Sequence, residues 1–219
     1  MVTPALATAA PAAVVAAASI SGGTTSLTCA KPTGTLEGHV MIAYQCSDWG
    51  TYAALTAPAG WTLLTGLDRG SDNLHLKIWS KVAGSSEAST YAWPQGSGVD
   101  GCVSIVTLRN VNTNTGTWLF ATPVFAAAAA SRVAASVTGA GTGAIMLAHS
   151  MIEPQNTACS YAPPAGMTER ADVQSTTWVT QSVASLDGPT NPTGTKTFTV
   201  SGTLSSVGGI ESSIVIPAA

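Results

Sequence analysis

The chain has 219 residues and a mass of 21.9 kDa, which is enough for one compact fold that buries about 70% of the surface of the open chain. Only 9% of the residues are charged, which excludes a coiled coil and a charged disordered tail. The formal net charge is −3 and the basic residues are scattered singly, so we expect no nucleic-acid partner. No stretch reaches the ~20 strongly apolar residues of a membrane-spanning helix, so we expect no membrane partner either.

Strand patterns run along the whole chain, whereas no long window repeats apolar residues at the spacing of a helix. The segment 39–46 is a continuous apolar run of strand length, and 74–82 alternates apolar with polar residues. Turns rich in Gly, Pro, Asn and Asp separate a dozen such segments, which predicts an all-β, antiparallel sandwich. In chain order the predicted strands are 12–19, 24–29, 39–46, 61–65, 74–82, 102–108, 133–137, 144–152, 167–173, 178–186, 195–200 and 210–216.

Two sequence motifs occur twice at a nearly constant separation. Gly-His-Val-Met-Ile-Ala at 38–43 recurs as Gly-Ala-Ile-Met-Leu-Ala at 143–148. Ala-Pro-Ala-Gly-Trp-Thr at 57–62 recurs as Pro-Pro-Ala-Gly-Met-Thr at 163–168. The offsets are 105 and 106 residues, so the order and the spacing of the motifs agree.

These matches indicate two similar half-chain motifs, at about 37–111 and 142–217. One copy with four or so strands does not easily cover both faces of its own sheet. We therefore expect the copies to pack against each other, or to interleave their strands, in a single jelly-roll-like β-sandwich domain over 12–219. Residues 1–11 would form an N-terminal arm that becomes ordered on a neighbour. Two small domains joined by 113–131 are the alternative, although that stretch holds bulky apolar residues that a free linker would lack.

The four cysteines are widely spaced, and no two of them form a C-x-x-C metal or redox pair. We expect all four to be reduced residues of the core or of strand ends, with a disulfide as the less favoured alternative. They are Cys29, Cys46, Cys102 and Cys159.

The polar residues single out no catalytic or metal-binding constellation. His149 is followed by Ser150, but the Gly-x-Ser-x-Gly elbow is missing, and adjacent strand residues point to opposite faces. The segment 68–73 lacks the residue order of a calcium loop and is explained by a polar hairpin turn. We therefore predict a non-enzymatic protein with no catalytic residues, no metal site and no cofactor.

Tryptophans support the best binding hypothesis. The alternation in 74–82 places one of them on the polar face of its strand, so we predict that this face is solvated and contacts a partner protein. Cover by another loop of the same chain is an equal alternative. The candidate protein-interface residues are Trp79, Lys77, Lys81 and His75.

Two further tryptophans, Trp49 and Trp118, lie in predicted loops. Loop aromatics of this kind stack on sugars or dock on proteins, and the alternative is that they pack over the open end of the sandwich. Trp61 and Trp93 border turns at strand positions, and we expect both in the core.

Several motifs carry a resemblance to a known family. They are Pro-Ala-Gly-Trp-Thr-Leu-Leu at 58–64, Trp-Ser-Lys-Val-Ala at 79–83, Ser-Thr-Tyr-Ala-Trp at 89–93, Arg-Asn-Val at 109–111 and Pro-Pro-Ala-Gly-Met-Thr-Glu-Arg at 163–170. They resemble a family of β-sandwich virion proteins that is common in tailed bacteriophages, mainly those of actinobacteria. Its members are described as minor tail or head-decoration proteins. The similarity runs from about residue 12 to residue 217, and the chain departs from the family mainly in 118–125.

The resemblance implies a non-enzymatic structural protein on the surface of the virion, assembled in the host cytoplasm. We expect a capsid decoration or cement protein that binds and stabilises the head surface. Its partners would be the major capsid protein or other virion proteins, and it would form a homo-oligomer, with a trimer matching the three-fold positions of a lattice. The alternative is a tail-associated or host-surface module that binds carbohydrate through Trp49 and Trp118.

Overall fold

The structure, a computed structural model, describes residues 10–154, 158–175, 178–202, 204 and 208–219. Residues 1–9, most of the predicted N-terminal arm, lie outside the described residues. None of the described residues belongs to a helix that is long and apolar enough to cross a membrane. Short 3₁₀ turns occur at Tyr52–Ala54, Gly70–Asp72 and Thr115–Thr117. The strands are β1 (Ala13–Gly22), β2 (Ser26–Ala30), β3 (Val40–Asp48), β4 (Thr62–Arg69), β5 (Leu74–Val82), β6 (Thr90–Pro94), β7 (Asp100–Arg109), β8 (Leu119–Ala126), β9 (Ser131–Ala134), β10 (Ile145–Ile152), β11 (Ser160–Ala162), β12 (Thr168–Ser175), β13 (Val179–Asp187), β14 (Lys196–Ser201) and β15 (Gly209–Ile216).

Two five-stranded antiparallel sheets form the centre of the molecule. The first has the strand order β1-β7-β3-β5-β4, and the second has the order β12-β13-β10-β15-β8. A small sheet of β2 and β6 accompanies the first, and a small sheet in the order β11-β14-β9 accompanies the second. Neighbouring strands pair antiparallel in all four sheets. The predicted all-β, antiparallel sandwich class is therefore confirmed.

The two halves of the chain have the same strand order. The first sheet, taken from one edge to the other, has the order β1, β7, β3, β5 and β4. The second sheet has the corresponding order β8, β15, β10, β13 and β12. The register repeats as well. Val40 lies opposite Val82 in the first sheet, and the residues 105 positions later, Ile145 and Asp187, lie opposite each other in the second. A β-bulge also recurs, between Leu63 and Thr65 in β4 and between Glu169 and Ala171 in β12.

The molecule has four β-layers. The two large sheets pack face to face, and the side chains between them form the main apolar core, with Ile42 and Leu76 from the first half and Leu147 and Val183 from the second. A separate core lies between each large sheet and its own small sheet. The half-chains thus pack against each other without interleaving their strands, and each half covers the outer face of its own large sheet.

Central strands that are apolar on both faces explain the additional layers. In β3, Ile42 and Tyr44 face the other half, whereas Met41 and Ala43 belong to the core under β2 and β6. All of β3 is buried. Burying a large apolar side chain contributes roughly 1.5–3 kcal/mol, so a β3 face left in water would lose much of the driving force for folding. The continuous apolar run at 39–46 is the sequence signal of this double cover.

The predicted strands all occur in the structure, with ends shifted by a few residues. Three observed strands, β6, β8 and β11, have no counterpart among them. Their sequence signals are weak, because β11 has three residues, β6 ends at Pro94, and β8 contains Pro123. All four cysteines are buried thiols, as predicted.

Candidate functional site

The polar face of β5 is covered by the chain itself. His75, Lys77 and Trp79 are only 2%, 8% and 9% exposed, and Lys81 at the end of the strand is half-buried. The expectation that this face is solvated is therefore wrong. The strand alternation correctly placed these side chains on one face, but the small sheet and the turn Tyr52–Ala54 lie over it, which is the alternative of cover by the same chain.

Trp79 is anchored inside the first half by hydrogen bonds. Its Nε1 donates to Gln45 Oε1 at 3.1 Å, and Gln45 Nε2 donates to the carbonyl of Pro94 at 2.7 Å. The indole lies in the same core as Trp61 and Trp93, both of which were expected there. A buried indole with a satisfied N–H is a packing residue, so Trp79 ties β5 to β3 and β6.

Lys77 is held as an enclosed cation. Its Nζ donates to the carbonyl of Leu55 at 2.8 Å and lies 4.3 Å from the centroid of the Tyr52 ring. Burial lowers the pKa of Lys77, and the nearby Asp68 carboxylate partly opposes this effect. The side chain therefore fastens the turn Tyr52–Ala54 to β5.

His75 and Asp68 face each other across β5 and β4. His75 Nδ1 lies 2.9 Å from Asp68 Oδ1, and the imidazole is enclosed while the carboxylate is about half exposed. Burial lowers the pKa of His75, and Asp68 opposes this shift. A carboxylate that orients an imidazole is one half of a proton-transfer site, but a ring enclosed in this way does not reach a bound substrate.

Lys81 is also engaged within the chain. Its Nζ lies 2.9 Å from Glu87 Oε2, and the same carboxylate accepts hydrogen bonds from Tyr91 Oη at 2.7 Å and from the amide of Gly84 at 2.9 Å. Burial opposes ionisation of Glu87, but the Gly84 amide, Lys81 and Tyr91 outweigh it and lower the pKa of this carboxyl group. The four predicted interface residues therefore hold the first half together.

The two loop tryptophans lie in different environments. Trp118 is 4% exposed, belongs to the core between the two large sheets, and donates from Nε1 to the carbonyl of Asn112 at 2.8 Å. Its ring is not available for stacking on a sugar, and it matches the packing alternative. Trp49, by contrast, is 56% exposed.

The backbone of Trp49 is fixed in an unusual conformation. Its φ is +67°, in the left-handed region that few residues with a large side chain adopt, and Gly50 follows with a φ of +83°. The Trp49 amide donates to the carbonyl of Asn73 at 2.8 Å, which joins the loop after β3 to the turn between β4 and β5. An apolar ring is thus held in water on a restrained backbone, which is the arrangement that an aromatic anchor or a stacking platform requires.

A polar turn lies next to Trp49. Asp72 Oδ2 accepts hydrogen bonds from Arg69 Nε at 2.6 Å and from Ser71 Oγ at 3.1 Å, and the turn continues into Asn73. The Arg69 guanidinium also lies 4.2 Å from the centroid of the Phe125 ring in the second half. The predicted polar hairpin turn at 68–73 is confirmed, and the backbone of Trp49 is hydrogen-bonded to it at Asn73.

Asp48, which precedes Trp49, is a buried acid that sequence reasoning missed. It is 1% exposed and lies directly opposite Asp100 in the pairing of β3 with β7. Burial raises the pKa of Asp48 to about 8, the charges of Glu153 and Asp100 add to this, and the Trp49 amide opposes it. Asp48 is therefore largely neutral at pH 7. The sequence did not indicate the burial of Asp48, because an aspartate at the end of a strand usually indicates a solvated turn.

No group of three or more His, Cys, Asp or Glu side chains in the described ranges is arranged to hold a metal ion. An open groove of about 500 Å³ lies on the small sheet of the second half, and its lining includes Pro163, Pro164, Lys196 and Thr199. It belongs to the other half of the molecule from Trp49, so the groove and the exposed indole do not form one site.

No known protein family, no curated protein and no solved structure matches this chain. The resemblance to β-sandwich virion proteins therefore stays a prediction.

Proposed function

We propose that the chain is a non-enzymatic structural protein of a virion, which decorates and stabilises the head surface through contact with capsid proteins. The observation that best supports this proposal is where the reactive side chains lie. His75 and His149 are enclosed between layers, and Arg132 and Glu211 form an ion pair with both side chains fully buried. Histidine, arginine and glutamate side chains can act on a substrate, but here these side chains hold the layers together.

The ion pair illustrates this use. Arg132 Nε donates to Glu211 Oε1 at 2.6 Å, and Arg132 Nη1 donates to the carbonyl of Ala127 at 2.7 Å. Glu211 Oε1 also accepts a hydrogen bond from Ser150 Oγ at 3.3 Å, and Ser150 is in contact with Tyr161. Such a network joins the second large sheet to its small sheet. A close-packed body of four layers has low compressibility, which suits a protein that reinforces a shell.

Binding to heads that lack the protein tests the proposal. The purified chain should bind such heads saturably, because contacts that are individually weak repeat over the lattice. Decorated heads should then withstand a higher temperature before they release DNA. Absence of saturable binding, or binding that leaves head stability unchanged, would contradict a reinforcing role.

A second candidate function, binding of a surface carbohydrate, is supported by the exposed ring of Trp49, whose backbone is hydrogen-bonded to the polar turn at Asn73. Stacking of an aromatic ring on a sugar requires an accessible face. On a glycan array, Trp49→Ala should abolish any signal, whereas Leu36→Ala is the matched control because it removes an apolar side chain that is 66% exposed elsewhere. Equal loss with both variants, or no saccharide binding by the wild type, would exclude this candidate.

A further inference from the structure

Four strands form the outer edges of the two large sheets, and three of them carry features that block the addition of another strand. Strand β4 has a bulge and ends in Asp68 and Arg69. Strand β12 has a bulge and three charged residues. Strand β8 has Pro123 at its own irregularity. Charges, prolines and bulges are the usual protection of exposed sheet edges.

The fourth edge, β1, is different. Its ten residues include no charge and no proline. The pairing with β7 is irregular between Val14 and Ala16, but from Ala16 to Gly22 it runs without interruption. Across the described part of the chain, the backbone groups of β1 pair with β7 and with no other strand. Among the described residues, the outer side of β1 from Ala16 to Gly22 therefore presents a regular row of N–H and C=O groups that no other strand pairs with.

Contacts on both faces hold β1 in place. Ala18 and Ile20 pack against the core under β2 and β6, and Val14 packs against the core between the halves. Ser21 Oγ donates to the carbonyl of Gln174 in β12 at 2.6 Å. A strand fixed in this way is a preformed template, because little conformational entropy is lost in β1 when a partner strand binds to it.

We propose that β1 pairs antiparallel with β1 of a second copy of this chain across a two-fold axis, so that the two five-stranded sheets become one continuous sheet. The absence of charge on β1 favours a copy of the same chain as the occupant. A two-fold axis brings each residue near its own equivalent, so any charge on β1 would face a like charge, and β1 has none. Strand β12, which packs over β1, carries charges of both signs in Glu169, Arg170 and Asp172.

Charges introduced at Ser19 test this pairing. Ser19 is the exposed residue of β1, so Ser19→Lys and Ser19→Glu should keep the monomer fold. Light scattering should show the wild type as a dimer of twice 21.9 kDa at high concentration. Each variant alone should weaken the dimer by about tenfold or more, and an equimolar mixture of the two should recover it as a heterodimer. Thr62→Lys, an exposed position on the edge strand β4, is the matched control and should leave the dimer unchanged.

Hydrogen exchange of the wild type gives a second readout that does not depend on a variant. Amides in 16–22 that lie on the outer edge should become protected as the protein concentration rises, while edge amides of β4 should not. A wild type that stays monomeric would overturn the proposal, and so would a monomer that uses β1 to bind a different protein. A dimer that Ser19→Lys and Ser19→Glu leave intact, with no change in exchange at β1, would also overturn it. Both measurements use the protein alone, so their outcome is distinct from the test on virus heads.

Discussion

Tyr44 of β3 and His149 of β10 stack on each other, with ring centroids 4.7 Å apart and ring planes 12° from parallel. They occupy equivalent positions in the two halves, because Tyr44 lies opposite Ser104 in β7 and His149 lies opposite Ser212 in β15. Equivalent residues thus meet at the centre of the interface between the large sheets. This is the contact that a two-fold relation between the halves produces.

One polar residue breaks this relation. Gln181 Nε2 donates to Ser104 Oγ at 3.0 Å, and Gln181 Oε1 lies 3.1 Å from His149 Nε2. Burial lowers the pKa of His149 to about 3, so the ring is neutral and donates from Nε2 to this oxygen. The position equivalent to Gln181 in the first half holds Leu76, which offers no hydrogen bond. Ser212, the equivalent of Ser104 in the second half, therefore has no such donor, and its Oγ is buried without a hydrogen-bond partner among the described residues.

The Tyr44 hydroxyl is also buried without a hydrogen-bond partner in the described structure. Tyr44→Phe should therefore leave the free energy of unfolding unchanged or raise it by up to about 1 kcal/mol, because an unsatisfied buried hydroxyl costs about 1–3 kcal/mol. Tyr44→Ala should lower it by about 3–5 kcal/mol, because it leaves a cavity between the sheets. Urea unfolding at pH 7 measures both values. A loss above about 1 kcal/mol in Tyr44→Phe would mean that the hydroxyl has a stabilising partner.

Asp48 should make the protein less stable as the pH rises. The unfolded chain releases this proton near the ordinary pKa of 3.8, whereas the folded chain keeps it until about pH 8. The free energy of unfolding should therefore fall between about pH 4 and pH 8, by at most about 1.4 kcal/mol per pH unit from this group. Asp48→Asn should remove this part of the slope, with no gain near pH 4 and a gain of a few kcal/mol at pH 8.

The control for Asp48 is Asp187→Asn, at an exposed strand end. It should shift stability by less than about 0.5 kcal/mol at every pH. Thermal unfolding of the wild type and both variants from pH 4 to pH 8 makes the comparison. Equal slopes in the wild type and in Asp48→Asn would show that this carboxyl group ionises in the folded state as it does in the unfolded chain.

The buried pair of Arg132 and Glu211 should be costly to break from one side. Arg132→Met should destabilise the protein by about 3–5 kcal/mol at pH 7, because it leaves a buried carboxylate without its partner. Burial already raises the pKa of Glu211 to about 7, against the opposing effect of Arg132. Removing Arg132 should raise this pKa further, so the part of the loss that comes from the unpaired carboxyl group should grow as the pH rises above 7.

A double-mutant cycle checks this pair. Arg132→Met combined with Glu211→Leu should cost less than the sum of the two single variants, because no unpaired charge remains. Guanidinium unfolding at pH 5 and pH 7.5 gives the four free energies at each pH. Additive losses would mean that the two side chains do not depend on each other.

Lys77 allows the structural role of the β5 face to be separated from a binding role. Lys77→Met keeps a long apolar stem and loses the bond to the Leu55 carbonyl and the contact of the ammonium group with the Tyr52 ring, so it should change stability by less than about 1.5 kcal/mol. Lys77→Ala removes the packing stem as well and should cost more. Head binding by folded Lys77→Met should equal that of the wild type. Lost binding with unchanged thermal unfolding would instead place the ammonium group in a partner interface.

Local patterns allowed much of the fold to be predicted. The apolar run at 39–46 and the alternation at 74–82 both became strands, since the side-chain period of a strand is written in neighbouring residues. Trp61 and Trp93 were expected in the core and lie there. The same patterns say nothing about what lies above a face. His75, Lys77 and Trp79 were therefore placed on one side of β5, while their burial could not be inferred.

The candidate site was predicted in part. Trp49 was singled out and is exposed, but Trp118 carried the same loop signal and is buried. The difference depends on contacts between segments that are distant in the chain, such as the approach of Trp118 to the core between the sheets. Asp48 was missed for the same reason, because Glu153, which helps to raise its pKa, belongs to the other half.

The amino-acid sequence by itself determined the strands, their turns and the near-repetition of two motifs, because these follow from spacing and backbone preference over a few residues. Only the tertiary structure decided that each half adds a small sheet, that Tyr44 meets His149, and that β1 lies at an edge of the first large sheet. Those outcomes depend on burying apolar faces that lie far apart in the chain, and the free energy of that burial depends on the final neighbours of each face.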